Sequence, residues 1–158
     1  MSKSTAELVS FPDAELVFGV VAPAGTNRAD FLRRFTDLLG AYKYRTRPVH
    51  LSKLIDHIAF PNGTGPADGA GNAARRERLM TEGSKLRRDT EQDGIVALLG
   101  IADIQNARAQ TDEGSCALPR TAHVLWSLKH PDEVSLLQQV YGASFFLIGL
   151  FSSEEDRI

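Results

Sequence analysis

A chain of 158 residues is long enough for one domain with a sizeable core, and its 42% hydrophobic and 24% charged residues are ordinary for a globular protein. Against 20 acidic side chains stand 18 basic ones, a formal charge of −2, which argues against nucleic acid or a membrane surface as a partner recruited by overall charge. The one cysteine, Cys116, excludes an internal disulfide and a multi-cysteine zinc site and fits a reducing cytoplasm.

Met1 to Ser10 has no apolar run behind a basic start, so no signal peptide is expected. Leu16 to Ala22 (LVFGVVA) is a short apolar run without alternation, the pattern of a strand buried on both faces of a parallel sheet. Turn formers follow from Pro23 to Asn27, with Thr26 or Asn27 placed to cap a helix. Phe31, Leu32, Phe35, Leu38 and Leu39 then recur at helical spacing, with Arg33, Arg34 and Asp37 on the other face and Gly40 as the stop. A second strand is predicted within Tyr42 to Leu54, centred on Arg47 to Leu51, with Pro48 at its start or on an edge. Residues 60–72 (FPNGTGPADGAGN) predict a flexible loop, either an internal linker or a cover over a site.

Two helices are predicted next, at about Ala73 to Arg88 and Gly94 to Ala109. The first carries Arg75, Arg76, Arg78, Lys85, Arg87 and Arg88, and its five arginines either line a site for phosphates or form a solvated face. In the second, Ile95, Leu98, Leu99, Ala102 and Gln105 share one side, which predicts a core helix facing inward there. After a loop at Gly114 to Pro119, Ala122 to Leu128 (AHVLWSL) reads as a third buried strand. Pro131 opens a helix with Asp132 and Glu133 at its positive end, Val134, Leu137 and Val140 on its apolar side, and Tyr141-Gly142 as its end. Ser144 to Phe151 is a fourth strand, too short to span a bilayer, and Ser152 or Ser153 with the acids behind it reads as a capping box.

Strands alternating with helices imply right-handed crossovers, hence a three-layer α/β/α fold around a parallel sheet of about four strands. In such a sheet the strand at Phe145 to Phe151 stands near an edge, and its apolar residues call for cover from a further C-terminal segment or a second copy of the chain.

The turn after the first strand carries the chemistry. A phosphate-binding loop needs glycines that let backbone N–H groups wrap a phosphate, a Lys for the β/γ charge and a hydroxyl for magnesium. Here the stretch is Ala22-Pro23-Ala24-Gly25-Thr26-Asn27-Arg28-Ala29, with Arg28 at the Lys position and Ala29 at the hydroxyl position. Arg28 is read either as a phosphate contact or as an exposed first-turn residue. Lys129 follows a strand's C-terminal end, where ligands bind in open α/β sheets. His50, His57, His123 and His130 match no metal-ligand spacing, Asp93 and Asp103 read as surface or cap residues, Trp126 as core and Cys116 as an incidental thiol.

The block Trp126-Ser127-Leu128-Lys129-His130-Pro131-Asp132-Glu133-Val134, then a helix, then Phe145 to Leu150, then Glu154 to Arg157, resembles the second half of nucleoside and nucleotide monophosphate kinases. That matching puts Lys129 in place of a substrate-contacting Arg, Arg157 at the opening of the lid, and Trp126 where an Asp would stand. With Ala29, it removes both usual protein contacts to magnesium, and phosphoryl transfer depends on magnesium and positioned cations. The phrases Phe18 to Thr26, Val49 to Leu54, Leu79 to Arg87 and Ser127 to Val134 together look like the N-terminal P-loop nucleotide-kinase-like domain of bacterial anti-phage deoxycytidylate (dCMP/dCTP) deaminases, spread over nearly the whole chain. The resemblance implies a kinase-like domain over 1–158 that lacks the last strand and lid, is part of a longer protein, and works with a deaminase as a C-terminal domain or a separate chain. The deaminase's own zinc motif, which needs a pair of cysteines, is not in this sequence.

The expected nucleotide-binding residues are Ala22, Pro23, Ala24, Gly25, Thr26, Asn27, Arg28, Lys129 and Arg157, with no catalytic or metal-ligating residue. The expected ligand is a nucleotide (ATP, GTP or a deoxynucleotide), with or without magnesium, and the expected role a cytoplasmic sensor in a homo-oligomer that controls or assembles the deaminase. Two alternatives stay open: an active nucleoside or nucleotide monophosphate kinase, and an interaction module that has lost nucleotide binding.

Overall fold

The computed structural model describes residues 13–23, 25–61, 72–111 and 117–151. The apolar run at Leu16–Val21 is strand β1, and it lies inside a four-stranded sheet with β2 (Arg45–Val49), β3 (Thr121–Trp126) and β4 (Phe145–Gly149). Every pairing is parallel and the order is β2-β3-β1-β4. Val17 lies opposite His123 and Phe145, and His123 opposite Arg47, so these residues share one face of the sheet.

Parallel neighbours require crossovers. Helix α1 (Arg28–Ala41) joins β1 to β2, and α2 (Leu51–Ala59), α3 (Asn72–Thr90) and α4 (Ile95–Ala109) lie between β2 and β3. Helix α5 (Pro131–Tyr141) and a single 3-10 turn at Gly142–Ser144 lead into β4. One face of the sheet packs on α4 and α5 through Val17, Val49, Leu125, Val96, Ala97, Ile104 and Leu137. Aromatic side chains join the other face to α1: Phe35 stands edge-on to Phe18 at 5.0 Å, and Phe31 lies 5.5 Å from Trp126. The expected three-layer α/β/α architecture with four parallel strands is therefore the observed one. No helix among the described residues is long and apolar enough to cross a membrane.

Two expectations are corrected. The second strand ends at Val49, and the residues assigned to its far half open helix α2, which the sequence reading missed. Leu51, Leu54 and Ile55 all pack on the core, and their spacing of three and four is helical. In α4 the buried positions are Val96, Ala97, Gly100 and Ile104, whereas Leu98, Ala102 and Gln105 are exposed. Small residues decide this orientation. A Cβ on Gly100 would stand 2.7 Å from Leu125 Cδ2 and 3.1 Å from Leu51 Cδ2, so the helix approaches β3 where it has least bulk. Both leucines are buried and have no room to swing aside. Gly100→Ala is therefore expected to cost about 1–3 kcal/mol through overpacking, seen as a lower midpoint in urea unfolding.

At the N-terminal end of β1, Glu15 accepts hydrogen bonds from His123 Nε2 at 2.7 Å and Arg108 Nε at 3.0 Å, and Arg108 Nη2 pairs with it as well. This buried cluster joins the strand pair to α4. Nearby, burial pushes the Tyr141 phenol up to about 12, opposed by the charge of Arg108 and reinforced by that of Glu15. The remaining predicted boundaries shift by a few residues: α3 covers 72–90, β3 stops at Trp126, and Gly142–Ser144 is helical rather than part of β4. Most of the loop at 60–72, much of that at Gly114 to Pro119, and the capping box at Ser152 lie outside the described residues.

Candidate functional site

Helix α1 leaves the sheet on one face and α5 on the other, so the loops after β1 and β3 diverge above that strand pair. Ligands of open α/β sheets bind at such a reversal of strand order. The end of β1 is held from both sides. Val20 O accepts from the amides of Ser127 at 3.1 Å and Leu128 at 3.2 Å, and Val21 O accepts from Leu150 at 2.8 Å. Ser127 adopts φ 71° to fold the chain over β1, which sends Leu128 into the core and Lys129 to the surface.

The loop from Ala22 to Asn27 is closed on itself. Pro23 O accepts from Thr26 N at 3.3 Å and Thr26 Oγ1 at 2.8 Å, with Gly25 at φ 89° as in a type II turn. Asn27 then caps α1 by accepting Asp30 N on its side chain at 3.1 Å. The amides of Arg28 and Ala29 have no partner among the described residues, which leaves two donors at the positive end of a 14-residue helix. Asp30, in the same turn, opposes an anion, but Arg33 at 2.7 Å and Arg34 at 2.9 Å neutralise it and hold its carboxyl below the usual range.

Arg28 itself makes no ion pair among the described residues, and its charge reaches across to the end of β2. There His50 titrates below its ordinary value because it is partly buried and because Arg28 and Lys53 repel its charged form, with Asp103 opposing them. Asp103 is engaged by Arg47 at 2.7 Å. The site therefore brings together Pro23, Gly25, Thr26, Asn27 and Arg28 with His50 and Lys53, two residues that were not singled out as ligand contacts. Their signal, a His and a Lys just past a strand's end, was hidden by the strand boundary. Ala22 and Lys129 lie at the same end of the sheet, and the Lys129 ammonium likewise has no ion pair among the described residues. Ala24 and Arg157 lie outside the described residues.

Trp126 is committed to Phe31 of α1, 5.5 Å away, and offers no oxygen to a metal. The arginines of α3 divide between roles. Arg75 and Arg78 pair with Asp56 of α2 at 3.6 and 3.3 Å, and Arg87 pairs with Glu133 at 2.5 Å. Arg76 and Arg88 border an open groove of about 560 Å³ with Glu77, Met80, Thr81 and Ser84. Ligand atoms of Asp93, His130 and Asp132 lie within 4.8 Å of one another, a grouping no sequence spacing could reveal. Nδ1 of His130 already accepts the Asp132 amide at 3.3 Å as the cap of α5, and the positive end of that helix disfavours a cation. No protein-family model matches the chain, and no curated protein matches it significantly.

Proposed function

We propose that this chain is a degenerate P-loop, kinase-like module that binds a nucleotide as a cytoplasmic sensor and acts on a deoxycytidylate deaminase partner in anti-phage defence. The observation that carries the nucleotide part is the cationic end of the sheet: Arg28 without an ion pair and two amides at the start of α1 without an acceptor among the described residues, with Lys53 and His50 across the gap. Backbone donors at a helix start together with a forked guanidinium suit a phosphate. The deaminase part rests on the quoted phrases that run through the chain in order. A sensor fits better than a kinase because Ala29 and Trp126 supply no magnesium ligand.

The test is a thermal-shift screen against ATP, GTP and the deoxynucleotides, with and without magnesium. A ligand at 100 times its Kd stabilises by about 2.7 kcal/mol, and Arg28→Ala is expected to abolish that shift while leaving the unliganded melting temperature in place. A strict need for magnesium would favour the kinase reading instead. A second reading, an interaction module without ligand, is favoured by the Thr26 amide and hydroxyl both turning inward onto Pro23 O, which narrows the loop. The absence of a shift with every nucleotide would select it.

A further inference from the structure

Arg47, Arg78, Arg87, Arg108 and Arg120 each stand against a carboxylate. Arg28 and Lys53 have no such partner among the described residues, yet their charges meet on one group, His50. His50 is the N-cap of α2, one residue beyond the end of β2. Its carbonyl accepts the amides of Lys53 at 2.9 Å and Leu54 at 3.2 Å, so the cap is made by backbone and the imidazole makes no capping hydrogen bond. The cap and third positions lie on the same side of a helix start, which puts Lys53 on the imidazole's side of α2.

The charges that bear on His50 come from three helices: Arg28 from α1, Lys53 from α2 and Asp103 from α4. Asp103 is engaged by Arg47 of β2 at 2.7 Å, so the one acid acting on the ring among the described residues is already neutralised. Partial burial and the two cations disfavour a charged ring, and so does the positive end of α2. The site thus holds two cations and a neutral imidazole that makes no hydrogen bond among the described residues. A phosphate seated between Arg28 and Lys53 would reverse this balance, because it offsets both cations and sets an opposite charge beside the ring.

We propose that His50 is the third phosphate contact of this site, beside Arg28 and Lys53, and that it enters the contact as an imidazolium, so that nucleotide binding takes up one proton. The proton comes from solvent and goes to the ring nitrogen facing the ligand, which then donates to a phosphate oxygen. Histidine suits the position. A third permanent cation would repel its neighbours whenever no phosphate is present, whereas a ring that charges only on binding does not. By reciprocity, what the ligand does to the proton affinity of His50, protons do to the affinity for the ligand. Binding by the His50 contact therefore tightens as pH falls through neutrality. The nucleotide's own phosphate sets the opposite trend, since it loses charge in acid at about pH 6. The inference rests on the nucleotide reading of this site and adds to it the ligand role of His50 and the proton.

Titration calorimetry of the full chain tests it, with ATP, GTP and the deoxynucleoside triphosphates as probes and His50→Gln as the variant. The imidazole makes no hydrogen bond that glutamine has to replace, so the variant is expected to fold, and circular dichroism melting checks that it does. Binding heats at pH 7 in two buffers of different ionisation heat give the number of protons taken up. The unmodified chain is expected to take up more than His50→Gln, and its advantage in affinity over the variant to grow about tenfold between pH 8 and pH 6. Both proteins share the titration of the nucleotide's phosphate, which cancels in the comparison. Histidine NMR supplies an arm that needs no ligand. The resonance missing from His50→Gln is expected to titrate higher in Arg28→Ala than in the unmodified chain, and to move up in the unmodified chain when nucleotide is added. Binding with no difference in proton uptake, or a His50 resonance unmoved by Arg28→Ala, overturns this proposal and leaves the nucleotide reading in place. Failure of every probe to bind overturns both.

Discussion

Glu15→Gln is expected to lower the unfolding free energy at pH 7 by about 3 kcal/mol, the scale for removing one partner of a buried ion pair. Glu15 is 7% exposed and Arg108 and His123 close on it from α4 and β3. Glutamine keeps the shape and one acceptor but leaves the Arg108 guanidinium, with its side chain 15% exposed, without an opposing charge. The pH dependence is the sharper check. Burial alone would raise the Glu15 carboxyl, yet the hydrogen bonds from His123 and Arg108, the charge of Arg108 and a bond from the Leu118 backbone bring it from 4.5 down to about 2. A folded value below the unfolded one contributes stability that is present above pH 4.5 and lost as pH falls from there toward 2. At 1.36 kcal/mol per unit, that window holds about 3 kcal/mol. Urea titrations of both proteins at pH 7, 4.5 and 3 should show the gap between them narrowing in acid. A gap that stays constant across that range would mean that the charge of Glu15 contributes nothing.

The layers of this fold were legible because β1, β3 and α5 are long apolar or well-capped segments whose periods are unambiguous. Thr26 or Asn27 as a cap and Pro131 as a first residue marked the starts of α1 and α5 from local chemistry alone, and the structure has Asn27 as the cap of α1 and Pro131 opening α5. Helix α2 was not legible, because His50-Leu51 continues the extended run from Arg47 without a turn former between them. The inward face of α4 was misread for a different reason. Periodicity counts large apolar side chains, while this helix turns Ala97 and Gly100 toward the sheet together with Val96 and Ile104. At the candidate site the loop and Arg28 could be read from their position after a strand. Lys53 and His50 could not, since their approach to Arg28 depends on β2 and β1 sharing β3 as a neighbour. The Glu15 cluster was equally hidden, with partners 93 and 108 residues away in the chain.

Glu133→Ala is expected to cost about 3 kcal/mol and to loosen the Lys129 turn at the same time. Glu133 was foreseen as an acid at a helix start, a role that ordinarily contributes a few tenths to about 1 kcal/mol. Its burial changes the scale. The carboxylate is fully enclosed and accepts Lys129 N at 2.7 Å, His130 N at 3.2 Å and Arg87 Nη2 at 2.5 Å. It therefore binds the end of α3 to the start of α5, while Arg87 Nε reaches the Asp93 carbonyl at 3.3 Å. Alanine strands two backbone donors and a guanidinium whose side chain is 16% exposed, and an uncompensated buried cation is what makes such losses large. Most of the cost should thus come from Arg87 being left alone rather than from the bond itself. A double-mutant cycle separates the two: Arg87→Met placed on Glu133→Ala should recover part of the lost stability, although Arg87→Met on the unmodified chain destabilises. Glu133→Gln, which keeps an acceptor for the Lys129 and His130 amides, should fall between the two. If the nucleotide reading holds and Lys129 contacts the ligand, Glu133→Ala should also weaken binding in the thermal-shift screen, whereas Glu133→Gln should retain most of it. Equal destabilisation by Ala and Gln, with no recovery from Arg87→Met, would instead assign the loss to cavity formation at the α3–α5 junction.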